Sequence, residues 1–131
     1  MSANQDQDIQ AHALLVDDEP GFIEIMTKRL KRRGFRVTSV LSGTEALRSL
    51  RRQDYDIVVL DLKMEDMDGI EVLRILKTIA PEIPVIILTG HGSEEAAVDG
   101  LALGAFDYLM KPCDLEELIN VMQKAVQEKG K

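Results

Sequence analysis

Asp17-Asp18, Asp61, Thr89 and Lys111 each follow directly on a short, mostly apolar run, where a core would not choose them. Three carboxylates held within a few ångströms repel, and at least one would titrate high unless a cation sat among them. Oxygen-only ligands in a partly open site suit Mg²⁺, which keeps several waters and leaves a face for a phosphate. An ammonium and a hydroxyl neutralise and hydrogen-bond phosphoryl oxygens, and phosphoryl transfer asks for little beyond such positioning. An aspartate nucleophile that forms an acyl phosphate is established chemistry for this residue type.

These residues meet only if the chain folds to bring the ends of its apolar runs together. Runs rich in Val, Ile and Leu occupy residues 13–16, 36–41, 57–60, 85–88 and 106–110. Near-continuous runs of this length suit strands buried on both faces of a parallel sheet. Between them lie stretches with helical spacing. Ile23, Met26 and Leu30 share a face between Pro20 and Gly34. Ala46, Leu47 and Leu50 group in 42–52, and Ile70, Leu73 and Leu76 in 69–79. Residues 93–103 end at Gly104, and Leu118, Ile119 and Met122 mark a fifth helix over 114–126. Ser93 and Asp114 are placed to cap their helices, with acidic residues in the first turn after each.

The pattern predicts an α/β fold, a doubly wound (βα)₅ sandwich. Right-handed crossovers force helices onto both sheet faces. The common order for five such strands is 2-1-3-4-5, the flavodoxin-like arrangement, taken here as a prior. Ligands in such sheets bind outside the carboxyl ends of the strands at the switch point, where all five polar positions fall.

Composition bounds the rest. The 131 residues suffice for one domain, expected over 13–128, with a disordered lead over 1–12 and a short tail at 129–131. The net charge of −7 argues against general binding to nucleic acid or anionic membranes. A lone Cys113 excludes an internal disulfide and fits a reducing compartment. The polar start lacks a signal-peptide pattern, and no apolar run approaches the ~20 residues of a membrane span. A soluble, cytoplasmic domain is expected.

The segments LLVDDEP, VVLDLKMEDMDG, VIILTG and FDYLMKP resemble the motifs of the receiver domain of two-component response regulators, over about residues 12–128. The resemblance implies that Asp61 accepts a phosphoryl group from a phosphohistidine on a histidine kinase or histidine phosphotransfer protein. It implies Mg²⁺ bound by Asp18 and Asp61 directly, by Asp17 through water and by the backbone carbonyl of Lys63. Lys111 would pair with Asp61 and then with the phosphate, before a cis bond to Pro112. Thr89 would move to the phosphate and Tyr108 swing inward, switching the surface of the fourth helix, fifth strand and fifth helix toward an output partner or domain. Phosphorylation-dependent dimerisation through the fourth and fifth helices fits the same surface. The family's partner-docking side of the first helix points to Phe22 and Ile25 as apolar contacts. The stretch from Gly90 to Pro112 looks similar to receivers that precede transcription-activating ATPase domains.

Plainer readings stand beside these. Asp18 alone could be a helix N-cap, Asp61 a turn, Thr89 a strand end and Lys111-Pro112 a surface turn; their grouping favours the site. Tyr108 in a strand is core by default, and Cys113 packs as a small hydrophobe. The six basic residues within 28–36 read as a solvated face that complements a helix C-terminus. Lys63 and His91 are expected to flank the pocket mouth, where Lys63 would shield an acyl phosphate from water. Glu65 stands where the family usually has Pro, and Glu65-Asp66 is expected to add negative charge beside the metal loop. Gly90, Gly92 and Gly100 are expected to loosen 90–104.

Two other functions compete with the signalling switch. Haloacid-dehalogenase-like phosphatases also gather a nucleophilic Asp, a Thr, a Lys and an acidic pair. Their acidic pair comes last and a second acid stands two residues after the nucleophile, where this chain has Lys63. A phosphorylation-independent receiver that only binds partners is the other, and the presence of all five key residues argues against it.

Overall fold

The apolar runs become the strands of one parallel sheet. The structure, a computed structural model, describes residues 10–90 and 92–129. Its strands are β1 (His12–Val16), β2 (Arg36–Val40), β3 (Ile57–Leu60), β4 (Val85–Thr89) and β5 (Asp107–Met110). Its helices are α1 (Pro20–Arg32), α2 (Gly43–Arg52), α3 (Gly69–Ile79), α4 (Glu94–Ala102) and α5 (Leu115–Lys129). The order is β2-β1-β3-β4-β5 with every pair parallel, the flavodoxin-like topology expected from the sequence.

Alternate residues of the central strands feed two layers. Leu15, Val59 and Ile86 pack with Ile23 and Leu30 of α1 and with Ile119 of α5. Leu14, Val58 and Ile87 pack with Ala46 of α2, Leu73 of α3 and Ala97 of α4. Because β1, β3 and β4 are covered on both sides, every residue in them is buried, which is why they are the least polar runs. The edge strands β2 and β5 are only partly buried. Among the described residues no helix is long and apolar enough to cross a membrane.

Several local expectations need correction. The lead reaches less far than residue 12, because Ala11 and His12 are buried and His12 opens β1. Residues 1–9 and 130–131 lie outside the described residues, and so does His91. Lys129 belongs to α5 and not to a tail. Val72, not Ile70, enters the core beside Leu73 and Leu76. Ser93 is the N-cap of α4, but among the described residues it makes no capping bond and its buried hydroxyl has no partner. A capping side chain reaches the next turn from extended backbone. Ser42 (φ −153°, ψ 159°) and Asp68 (φ −65°, ψ 128°) have that backbone and cap α2 and α3; Ser93 (φ −114°, ψ 19°) does not. Gly100 has a packing role: a Cβ there would lie 2.3 Å from Ile87 Cδ1, so a side chain at this position would have to push that tip aside.

His12 shows why a polar residue can open a buried strand. Its Nδ1 lies 3.1 Å from the Asp54 carbonyl, its Nε2 lies 2.8 Å from Thr38 Oγ1, and its ring packs on Tyr55. Burial, aided by the charge of Arg36, lowers the imidazole pKa below its ordinary 6.5. The unfolded chain therefore binds a proton that the fold disfavours, and stability present above that value is lost as pH falls below it. The urea midpoint is expected to fall between about pH 7.5 and about pH 5.5, and the fall to shrink in His12→Gln. Equal slopes in the two proteins would assign the effect to other groups.

Candidate functional site

Strand register builds the site. Val16 of β1 pairs with Leu60 of β3, so the next residues, Asp17 and Asp61, emerge side by side. Their backbones continue the ladder by one bond each, Asp17 N–H to the Val40 carbonyl at 3.2 Å and Asp61 N–H to the Val16 carbonyl at 2.9 Å. Thr89 pairs with Met110, which brings Lys111 to the same end. Lys111 is followed by a cis bond to Pro112, as the resemblance implies.

The side chains converge. Thr89 Oγ1 donates to Asp61 Oδ1 at 2.7 Å. Lys111 Nζ stands 2.5 Å from Asp17 Oδ2, 3.0 Å from Glu19 Oε1 and 3.8 Å from Asp61 Oδ2. It also sits 4.1 Å from the centroid of the Phe22 ring, a cation–π contact that fixes the aliphatic stem. The lysine thus pairs more closely with Asp17 and Glu19 than with Asp61, its expected partner. Burial raises the Asp17 carboxyl pKa, with the nearby Asp61 charge adding to it and the Lys111 bond opposing it. Burial pulls the Lys111 pKa down, but the Asp17 and Glu19 carboxylates outweigh it and hold it above the ordinary value. Crowded carboxylates with one resident ammonium are the electrostatic state the sequence predicts.

Oxygens of Asp17, Glu19 and Asp61 lie within 4.8 Å of one another, a donor set of the hard kind Mg²⁺ takes. Glu19 enters this group where Asp18 was expected. Asp18 instead turns to the β3–α3 loop, where its Oδ2 accepts the Glu65 N–H at 3.2 Å. Glu65 therefore uses an N–H that proline lacks.

Asp66 turns to the start of α2. Its carboxylate accepts from Gly43 N–H, Thr44 N–H and Thr44 Oγ1, and the Thr44 amide leads in holding its pKa below the ordinary range.

The remaining expected residues separate. Lys63 N–H donates to Asp61 Oδ1 at 3.3 Å, and its ammonium lies 3.6 Å from where a Gly92 Cβ would be. Tyr108 pairs in register with Ile87 and is half-buried on the α2–α4 side. Cys113 packs against the α1–α5 core, and burial raises its thiol pKa, away from reactivity. Sequence reasoning missed Glu19, although it continues the run Asp17-Asp18, and missed the direction of Asp66, for which spacing gives no signal.

A family model described as the response regulator receiver domain matches residues 13–123. The chain belongs to the response regulator receiver family. This receiver is 41% identical over 118 residues to the transcriptional regulatory protein GlrR of Escherichia coli K12, covering 90% of this chain and 27% of that protein. It is 39% identical over 117 residues to the transcriptional regulatory protein ZraR of Klebsiella oxytoca, covering 89% and 26%. The receiver thus spans about a quarter of these relatives. A response regulator receiver domain protein from Clostridium thermocellum superposes with a TM-score of 0.88 at 35% identity, covering 92% of this chain and 97% of that one.

Proposed function

We propose that this receiver takes a phosphoryl group onto Asp61 from a phosphohistidine of a histidine kinase or histidine phosphotransfer protein, in a reaction that needs Mg²⁺. The observation that carries the reading is the meeting of the Thr89 hydroxyl and the Lys111 ammonium at the Asp61 carboxylate. An Asp61 oxygen attacks phosphorus, the bond to the partner's imidazole nitrogen breaks, and the electron pair returns to that ring. Lys111 offsets charge on the phosphoryl oxygens, and Thr89 exchanges its bond to Asp61 for one to the phosphate. Asp17, Asp18, Asp61 and the Lys63 carbonyl would hold Mg²⁺, with Glu19 beside them. The ion supplies charge neutralisation when bound.

The protein acts on itself and not on external substrates. Movement of Thr89 frees space that Tyr108 fills, and the face formed by α4, β5 and α5 changes for an output domain or partner. The same face is the expected place for a phosphorylation-dependent dimer. Phe22 and the exposed Ile25 offer the phosphoryl donor an apolar contact beside Lys111. Lys63 at the mouth shields the acyl phosphate, and the work is cytoplasmic.

Intact mass after incubation with acetyl phosphate tests the reading. One added phosphoryl group is expected with Mg²⁺, none with chelator, and none in Asp61→Asn. Sustained release of inorganic phosphate, in excess of protein and dependent on Asp61, would make the chain a phosphatase instead. An inert wild-type chain, also unresponsive to phosphohistidine donors, would leave a binding module.

A further inference from the structure

We propose that Asp66 is a positioning residue of the phosphoacceptor site, clamping the loop after Asp61 to the first turn of α2. The proposal rests on the phosphoacceptor reading and concerns what holds that site in shape. A helix begins with backbone N–H groups that have no partner within the helix. In α2 the local chain satisfies one of them, as Ser42 Oγ accepts from Glu45 N–H at 3.1 Å, and the next amide, Ala46 N–H, makes the first regular helical bond to the Ser42 carbonyl at 3.1 Å. The Gly43 and Thr44 amides go to Asp66, one to each carboxylate oxygen at 3.0 Å, and the Thr44 hydroxyl adds a bond of 2.8 Å. Two-point capture of a carboxylate fixes its orientation as well as its place.

The clamped loop belongs to the pocket. Immediately before Asp66, the Glu65 N–H donates to Asp18, and two residues further back the Lys63 N–H donates to Asp61. Asp66 is exposed, so these bonds, and not burial of its own side chain, define its effect. The loop also lies against the start of this helix: a Cβ on Gly43 would lie 3.1 Å from Met67 Sδ and 3.2 Å from Met67 Cβ. With Asp66 in place, the amide that faces Asp18 is held still. Without it, the loop that presents Asp18 and the Lys63 carbonyl to a cation drifts, and cation affinity falls while Asp61 keeps its intrinsic chemistry.

The test is Mg²⁺ titration of the full chain, followed by backbone amide NMR shifts and by acetyl phosphate uptake. Supporting residues behind metal ligands commonly change affinity about 10-fold or more, so Asp66→Ala is expected to raise the Mg²⁺ midpoint by about that factor. Uptake should slow at low Mg²⁺ and recover at saturation. Thr44→Val, which removes one of the bonds, and Asp66→Asn, which weakens them, are expected to fall between and serve if Asp66→Ala does not fold. Ser42→Ala is the control: it uncaps the same helix without touching the loop and should leave the midpoint unchanged. A midpoint in the foldable Asp66 variants within about 2-fold of wild type, or an equal shift in Ser42→Ala, overturns the clamp alone. Absence of any Mg²⁺ response in wild type overturns the phosphoacceptor reading and the clamp with it.

Discussion

Lys111→Met is expected to lower the unfolding free energy by about 3 kcal/mol, because removing one partner of a buried pair strands the other charge. The Asp17 side chain is only 2% exposed and that of Lys111 16%, so water compensates poorly for the missing ammonium. Asp61 Oδ2, at 3.8 Å, and Glu19 Oε1, at 3.0 Å, lose the same cation. Methionine keeps an unbranched stem to lie on the Phe22 ring, so the loss reports charge more than packing. Millimolar MgCl₂ should recover part of the deficit and stabilise the variant more than wild type, since the ion meets no resident ammonium there. Urea unfolding with and without MgCl₂ gives both numbers. A deficit under about 1 kcal/mol would mean that the pair behaves as a surface salt bridge.

The same balance explains how a small chemical event could reset the fold. The pocket holds more negative charge than its lysine offsets, and burial of Asp17 raises the energy of that excess. On the proposed reading, Thr89 and Lys111, which meet Asp61 in this structure, would also meet the three phosphoryl oxygens. Any such transfer of bonds pulls on the end of β4 and on the loop into α4. Among the described residues that helix starts without a side-chain cap at Ser93, and it approaches Ile87 closely at Gly100. In α2, by contrast, the first amides are taken by Ser42 and Asp66.

What the sequence made legible follows from which forces leave a local trace. The limits of β3 and of α3 (Gly69–Ile79) match the expected ones because an apolar run ending in Asp61 and a periodic stretch ending before Pro81 each mark their own limits. Asp17, Asp61, Thr89 and Lys111 were readable because a polar residue at the end of a buried strand has one place to go, the carboxyl edge of the sheet. The contacts that left no local trace depend on partners far along the chain. His12 is satisfied by Asp54 and Thr38, Asp66 by Gly43 and Thr44, and Asp18 by Glu65. Gly100 looked like a soft point in a helix, and only its contact with Ile87 shows it as a close approach. Helical periodicity told which turn faces the sheet but not whether Ile70 or Val72 lies deepest, because that depends on how the helix axis tilts.

Gly69→Ala is expected to be the most damaging single methyl that the chain could receive near the site. An added Cβ would stand 2.4 Å from Leu62 Cα, 2.7 Å from its oxygen and 2.8 Å from its carbonyl carbon. Backbone cannot swing aside as a side-chain tip does, and the Gly69 N–H already bonds the Leu62 carbonyl at 3.0 Å. The loop must open, and Leu62 is the residue after Asp61. Overpacking of this kind costs about 1–3 kcal/mol, and backbone displacement should place this variant at the upper end. Acetyl phosphate uptake should fall about 100-fold, since a misplacement of about 1 Å at reacting atoms has effects of that order. Gly43→Ala supplies the contrast, because there the nearest atoms, Val72 Cγ2 at 2.8 Å and Met67 Sδ at 3.1 Å, belong to side chains and not to backbone. It should lose less stability and keep most of its uptake. Equal losses in the two variants would show that crowding around the loop, and not the place of the Leu62 backbone, sets the geometry of Asp61.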